Sequence, residues 1–179
     1  RVGNLAEKLV GLVKQSYSAI SKTSPIIEEV KYNAQKLIRL TSRREQVLEQ
    51  LIELAKPLPE YVILLSIPGI AETTGTSVIG ELGDIRRFTS ANQINAFIGI
   101  DLKHYESGDF LGQEHITKRG NPCARRILYK SIRNIASASH TNPCHIADFY
   151  EKRNRQSTIA STKPHTIASI HRLIRTMYY

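Results

Sequence analysis

The chain has 179 residues, 41% hydrophobic and 23% charged, with a formal net charge of +9, which suits one or two compact domains with a real core. No apolar run approaches the roughly 18 residues that span a bilayer, and no basic start, apolar stretch and small-residue cleavage site mark a secretory leader. Cys123 and Cys144 make no disulfide framework, and with His140 and His145 they show no CxxC or HxxxH spacing for a metal. A cytosolic protein is expected, and with Arg1 rather than Met at the start the expectation is a fragment or an engineered piece of a protein.

In chain order, Leu5, Leu9, Leu12 and Ile20 are spaced as on one helical face, predicting an amphipathic helix over 3–22. Ser24-Pro25 reads as an N-cap with proline at the first helical position, and Glu28 and Glu29 suit the first turn. From Ile27 through Val30, Ala34, Leu37, Thr41, Arg44, Leu48 and Leu51 to Ala55 the spacing alternates between three and four, with no proline or glycine until Pro57. This predicts a helix of about 30 residues, roughly 45 Å long. Its stripe needs a partner. The two segments fold as an antiparallel hairpin or pair with a second subunit, and a coiled coil joining subunits is the preferred reading.

Pro57-Leu58-Pro59 separates these coiled-coil and dimerisation helices (1–57) from a compact helical domain (58–179). Short helices are expected over 60–66, 73–82 and 90–97, the last capped by Thr89 or Ser90. A small β-hairpin is expected over 98–116, which carries Gly99, Gly108 and Gly112. Asn121-Pro122 opens a helix through about 139, Asn142-Pro143 repeats the device for a helix through about 153, and a last helix spans 163–178. The expected class is mainly α with a minor β element.

Charge is unevenly placed. Residues 101–179 carry thirteen basic and six acidic groups, against ten and seven in 1–60. A concentrated positive field with no membrane signal favours a nucleic-acid partner. Within 60–82, Leu64 to Ala71 resembles a helix-hairpin-helix, in which a glycine turn aims amides at a phosphate. The turn here is Gly69-Ile70-Ala71, with alanine where a second glycine is usual, so phosphate contact and plain packing both stand open.

The stronger signal lies further on. Lys118 and Arg119 precede Gly120, and Asn121 caps a helix bearing Arg125, Arg126, Lys130 and Arg133. Positions 126, 130 and 133 share one face, and acidic partners at i±4 are absent. A cationic lead-in to a helix start is an anion site. Upstream, Tyr105-Glu106-Ser107-Gly108 puts a hydroxyl in a turn, with His104 and His115 flanking it. On its own Ser107 reads as a turn residue; a nucleophile needs a proton route and charge stabilisation. Asp101, Glu106, Asp109 and Glu114 are scattered, so a self-contained two-metal nuclease is not expected.

Taken in order, Ile67-Pro68-Gly69-Ile70, Gly80-Glu81-Leu82-Gly83-Asp84-Ile85, Arg87-Phe88, Phe97-Ile98-Gly99-Ile100-Asp101 and Ser107-Gly108 carry a resemblance. Ile116-Thr117-Lys118-Arg119-Gly120-Asn121, Arg125-Arg126-Ile127-Leu128-Tyr129, Phe149-Tyr150 and the helix ending at Tyr178 continue it. Together, over about residues 60–179, they resemble the transposase domain of the DEDD-type insertion-sequence transposases, the bridge-RNA-guided recombinases.

The resemblance implies that Ser107 attacks DNA and holds a covalent phosphoserine link, with no nucleotide cofactor. It also implies a preceding RuvC-like domain whose Asp-Glu-Asp-Asp set binds Mg²⁺. That set is absent from this sequence, so the stretch alone is expected to be inactive and to hold no metal or cofactor. The implied partners are donor and target DNA, a structured guide RNA and further copies of the chain, in a bacterial or archaeal cytoplasm and away from membranes. The rival expectation is a non-catalytic nucleic-acid-binding and oligomerisation module.

Overall fold

The computed structural model describes residues 2–17, 20–21, 23–103, 106–107, 110–111, 115–158 and 160–178; at Val2, Lys103, Glu106, Ser107, Phe110 and Leu111 it describes the backbone alone. The order is α1 (Val2–Gln15), α2 (Pro25–Ala55), α3 (Pro59–Leu65), α4 (Glu72–Leu82), a 3₁₀ turn (Ile85–Arg87) and α5 (Ala91–Ile98). Then come β1 (Leu102–Lys103), β2 (Glu106–Ser107), β3 (Phe110–Leu111), β4 (His115–Ile116), α6 (Pro122–Ala138), α7 (His145–Arg155) and α8 (Lys163–Tyr178). The fold is mainly α, as the periodicity predicts. None of the described helices is long and apolar enough to cross a membrane.

The chain divides into two units, Arg1–Val47 and Leu48–Tyr179. In the first, α1 is exposed along its described length, Leu5, Leu9 and Leu12 included, and Val30, Leu37 and Leu40 of α2 are exposed as well. Proline at its first turn and an uninterrupted run to Ala55 give α2 its 31 residues. The first helix is shorter than its spacing predicts. Both the backbone N–H and the hydroxyl of Ser16 bond to the Val13 carbonyl, at 3.2 and 3.0 Å, and α1 stops at Gln15. A serine that bonds back to the preceding turn competes with helix continuation.

The second unit is built around α6 and α8. α6 packs on α4, α5, α7 and α8, and α8 packs on α3, α5, α6 and α7. Each sends in residues at three- and four-residue spacing: Ala124, Leu128, Ile132 and Ile135 from α6, and Ile170, Leu173, Ile174 and Met177 from α8. Leu64, Val78, Ile94 and Ile98 from α3, α4 and α5 belong to the same core. Two buried serines on these helices need no outside partner. Ser131 donates to the Ile127 carbonyl at 3.0 Å, and Ser169 donates to that of His165 at 2.8 Å.

Asn142-Pro143 does not open α7 as expected. The amides of Thr141 and Asn142 both donate to the Ala138 carbonyl, closing α6. Extended Cys144 is the N-cap instead, its carbonyl accepting from the Asp148 amide at 3.0 Å, and α7 runs to Arg155. The β element is two short antiparallel ladders. Leu102 pairs with Ile116 and Lys103 with His115; further out, Glu106 pairs with Leu111 and Ser107 with Phe110.

Candidate nucleic-acid interface

The segment Thr117–Asn121 is bound along the C-terminal end of α5. The Thr117 amide donates to Asp101, the Lys118 amide to Gly99 and the Asn121 amide to Phe97, at 3.0, 3.0 and 2.8 Å. The Thr117 hydroxyl adds a bond to the Asp101 carboxylate at 2.6 Å. At the closest point Gly120 lies against Phe97 and Gly99. A Cβ there would run into the Phe97 carbonyl oxygen and the Gly99 nitrogen, so only glycine fits. Lys118 takes a φ of +56°, the one positive value at a non-glycine among the described residues. Such a conformation is held by its surroundings at a cost of about 1–3 kcal/mol; here the Gly99 and Asp101 bonds supply the restraint.

Asn121 caps α6. Its Oδ1 accepts from the amides of Cys123 and Ala124 at 2.9 and 3.1 Å, while its Nδ2 donates to Glu81 Oε2 at 2.8 Å. Two of the amides that an anion would seek at this helix start are therefore already engaged. Arg125 is also used internally, donating from Nη1 to the Ile98 carbonyl at 2.8 Å. Arg87 of the Arg87-Phe88 pair behaves alike. Its guanidinium lies 4.7 Å from the centroids of both Phe88 and Phe97 and donates to the Leu82 carbonyl at 2.9 Å.

The remaining cations form a different set. Lys118, Arg119, Arg126, Lys130 and Arg133 are exposed, and among the described residues none is in an ion pair. α6 itself contains no acidic residue. Unpaired like charges on one helix face repel each other, and a polyanion relieves that repulsion.

The glycine turn before α4 has a packing role on its face toward α6. Gly69 has a φ of +88°, and a Cβ there would come within 2.6 Å of the Asn134 carbonyl oxygen. The Ile70 amide donates to the Ile67 carbonyl at 3.1 Å, Ile70 is buried, and Ala71 is the N-cap of α4.

Ser107 sits in β2 opposite Phe110. Its side chain lies outside the described residues, as do His104, Tyr105, Gly108, Asp109 and Glu114. His115 is in β4 and exposed. Among the described residues no three His, Cys, Asp or Glu side chains gather as a metal site.

Sequence reasoning missed Glu81 as the partner that orients Asn121. It also missed His171 of α8, whose pKa is lowered chiefly by burial and secondarily by Arg175, against opposing effects of a bond to the Ile100 backbone and of Asp101. Glu81 lies forty residues before its partner, and no local spacing rule connects them.

The family described as transposase IS116/IS110/IS902 matches residues 61–151, just over half of the chain. Over 87 residues the chain is 35% identical to a transposase for insertion sequence element IS1111A from Coxiella burnetii, covering 49% of this chain and 24% of that protein. Over 108 residues it is 30% identical to a transposase for insertion sequence element IS1328 from Yersinia enterocolitica, covering 54% of this chain and 32% of that protein. The chain thus spans about a quarter to a third of the length of the curated relatives it matches.

Proposed function

We propose, from the premise that the chain belongs to the IS116/IS110/IS902 transposase family, that it is the part of a DNA-recombining enzyme that grips nucleic acid and supplies the attacking serine. The observation that carries the reading is the family match over 61–151, which contains Ser107, Lys118, Arg119 and the basic face of α6 in one continuous stretch. Lys118, Arg119, Arg126, Lys130 and Arg133 engage backbone phosphates of DNA and of a structured guide RNA. Asn121 and Arg125 hold the segment that presents them.

In the chemical step Ser107 Oγ attacks a DNA phosphorus. An O–P bond to serine forms as the bond to the leaving sugar oxygen breaks, and the serine proton passes to a base. The phosphoester is conserved, so the reverse attack by a sugar hydroxyl rejoins a strand without a nucleotide cofactor. Lys118 and Arg119 favour the charge that builds on the phosphoryl oxygens. An Mg²⁺-binding acidic set from outside this stretch completes the site, and the stretch alone is inactive. The exposed apolar residues of α1 and α2 support pairing with a second copy through this arm.

The test uses a longer protein that includes this stretch, together with guide RNA and labelled donor DNA, followed on a denaturing gel. A protein–DNA adduct that disappears in Ser107→Ala supports the reading. An adduct that persists in Ser107→Ala contradicts the nucleophile assignment. Nucleic-acid binding without any adduct favours a non-catalytic binding and oligomerisation module.

A further inference from the structure

Two adjoining hollows lie on the second unit, and neither Lys130 nor Arg133 is among the residues that line them. The larger, of about 520 Å³, is bordered by β4, α7 and the start of α8, with Lys118, Arg153, Lys163 and His171 beside apolar Ile116 and Ile167. The smaller, of about 400 Å³, shares Ile116, Lys163 and Ile167 and adds Arg126 and Tyr129. Among the described residues no carboxylate lines either one. Neither Lys118 nor Lys163 is in an ion pair among the described residues.

Arg153 is set in place by an aromatic neighbour. Its guanidinium lies 5.6 Å from the Phe149 ring centroid, and that of Arg172 lies 4.6 Å from the same centroid. Cation–π stacking of this kind fixes a guanidinium without neutralising it. A third hollow, of about 440 Å³ beside Leu58 and Met177, makes the contrast. There Arg86 is already paired with Glu60 and with Asp84, both at 3.2 Å.

Cations around an apolar and aromatic lining match the two parts of an unstacked nucleotide, a phosphate and a base face. The outside of a duplex offers phosphates but keeps its base faces stacked, which leaves Ile116, Ile167 and Tyr129 without a use. Single-strand grooves combine these same elements.

We propose that the two hollows form one seat for a single-stranded nucleic-acid segment, with Lys118, Arg126, Arg153 and Lys163 on its phosphates and Tyr129 against a base. The proposal rests on the reading that this chain binds nucleic acid. It adds α7 and α8 to the surface and specifies an unpaired strand. Both DNA and RNA present the required phosphodiester.

The test is fluorescence anisotropy on the 179-residue chain with labelled single-stranded DNA, single-stranded RNA and duplex DNA, each about 12 nucleotides long. Arg153→Gln with Lys163→Gln should weaken single-strand binding about tenfold and reduce the salt slope by about 1.4, while duplex binding changes less than about twofold. Tyr129→Phe should bind single strands as the wild type does, and Tyr129→Ala should lose about fivefold or more. Because residues 153 and 163 are exposed, unchanged melting curves confirm that the double variant is folded. The single-stranded probe with the larger loss identifies the strand, and equal losses mean recognition of phosphate and base face without regard to the sugar.

Unchanged single-strand binding in the double variant, with weaker binding in Lys130→Gln/Arg133→Gln, overturns the seat and leaves the nucleic-acid reading intact. Equal losses on single strands and duplex also overturn it. Failure of the wild type to bind any probe overturns both.

Discussion

Arg125 donates from Nη1 to the Ile98 carbonyl at 2.8 Å, across 27 positions of sequence, whereas its neighbour Arg126 is exposed and unpaired among the described residues. Adjacent arginines of one helix therefore have different roles. One ties the start of α6 to the end of α5; the other faces outward. Arg125→Ala should destabilise the chain by about 1.5–3 kcal/mol, and Arg126→Ala by less than about 0.5 kcal/mol. Urea denaturation of the two variants checks this. Equal losses would mean that the Ile98 bond contributes nothing.

Gly120→Ala tests how closely the 117–121 segment lies against α5. Its new Cβ meets the Phe97 carbonyl and the Gly99 nitrogen, both backbone atoms that cannot turn aside. A loss of about 3 kcal/mol is expected. A melting temperature within a degree or two of wild type would show that the segment is free to move away.

Asn121→Ala removes the α6 cap and strands the Glu81 carboxylate that it bonds. The cap alone is worth about 1 kcal/mol. Asn121→Asp keeps the cap acceptor but faces Glu81 with a like charge. It should recover part of the loss at low pH and less at neutral pH, measured as melting temperature against pH.

These three residues show what can be read from a sequence and what cannot. Asn-Pro before a periodic apolar run is a local signal, and the helix appears where it points, from Pro122 to Ala138. The same dipeptide at 142–143 sits in a connection, because the Thr141 and Asn142 amides are used to close α6. The early end of α1 turns on one serine bonding back to Val13. α8 spans 163–178, as its apolar spacing predicts. The inward role of Arg125 depends on a carbonyl that only the packed fold brings near. Arg153 and Lys163 show in sequence only as part of the basic surplus of 101–179, because the packing of α7 on α8 brings them together.

His171 provides a pH test. Burial lowers its pKa below the ordinary 6.5, so the unfolded chain binds its proton more readily than the folded one. The stability it contributes is full above pH 6.5 and is lost as pH falls through the lowered folded value. Melting temperature should therefore drop between pH 7 and pH 5. His171→Gln should flatten that part of the profile, and an unaltered profile would assign the acid sensitivity to other groups.

The central claim is that the exposed cations of α6 bind nucleic-acid phosphates, and the salt dependence of duplex DNA binding tests it most directly. The slope of log affinity against log salt is measured for the wild type and for Arg126→Gln/Lys130→Gln/Arg133→Gln. If all three residues contact phosphates, the magnitude of the slope should fall by about 2.7 in the variant. An identical slope in the two proteins would contradict the claim.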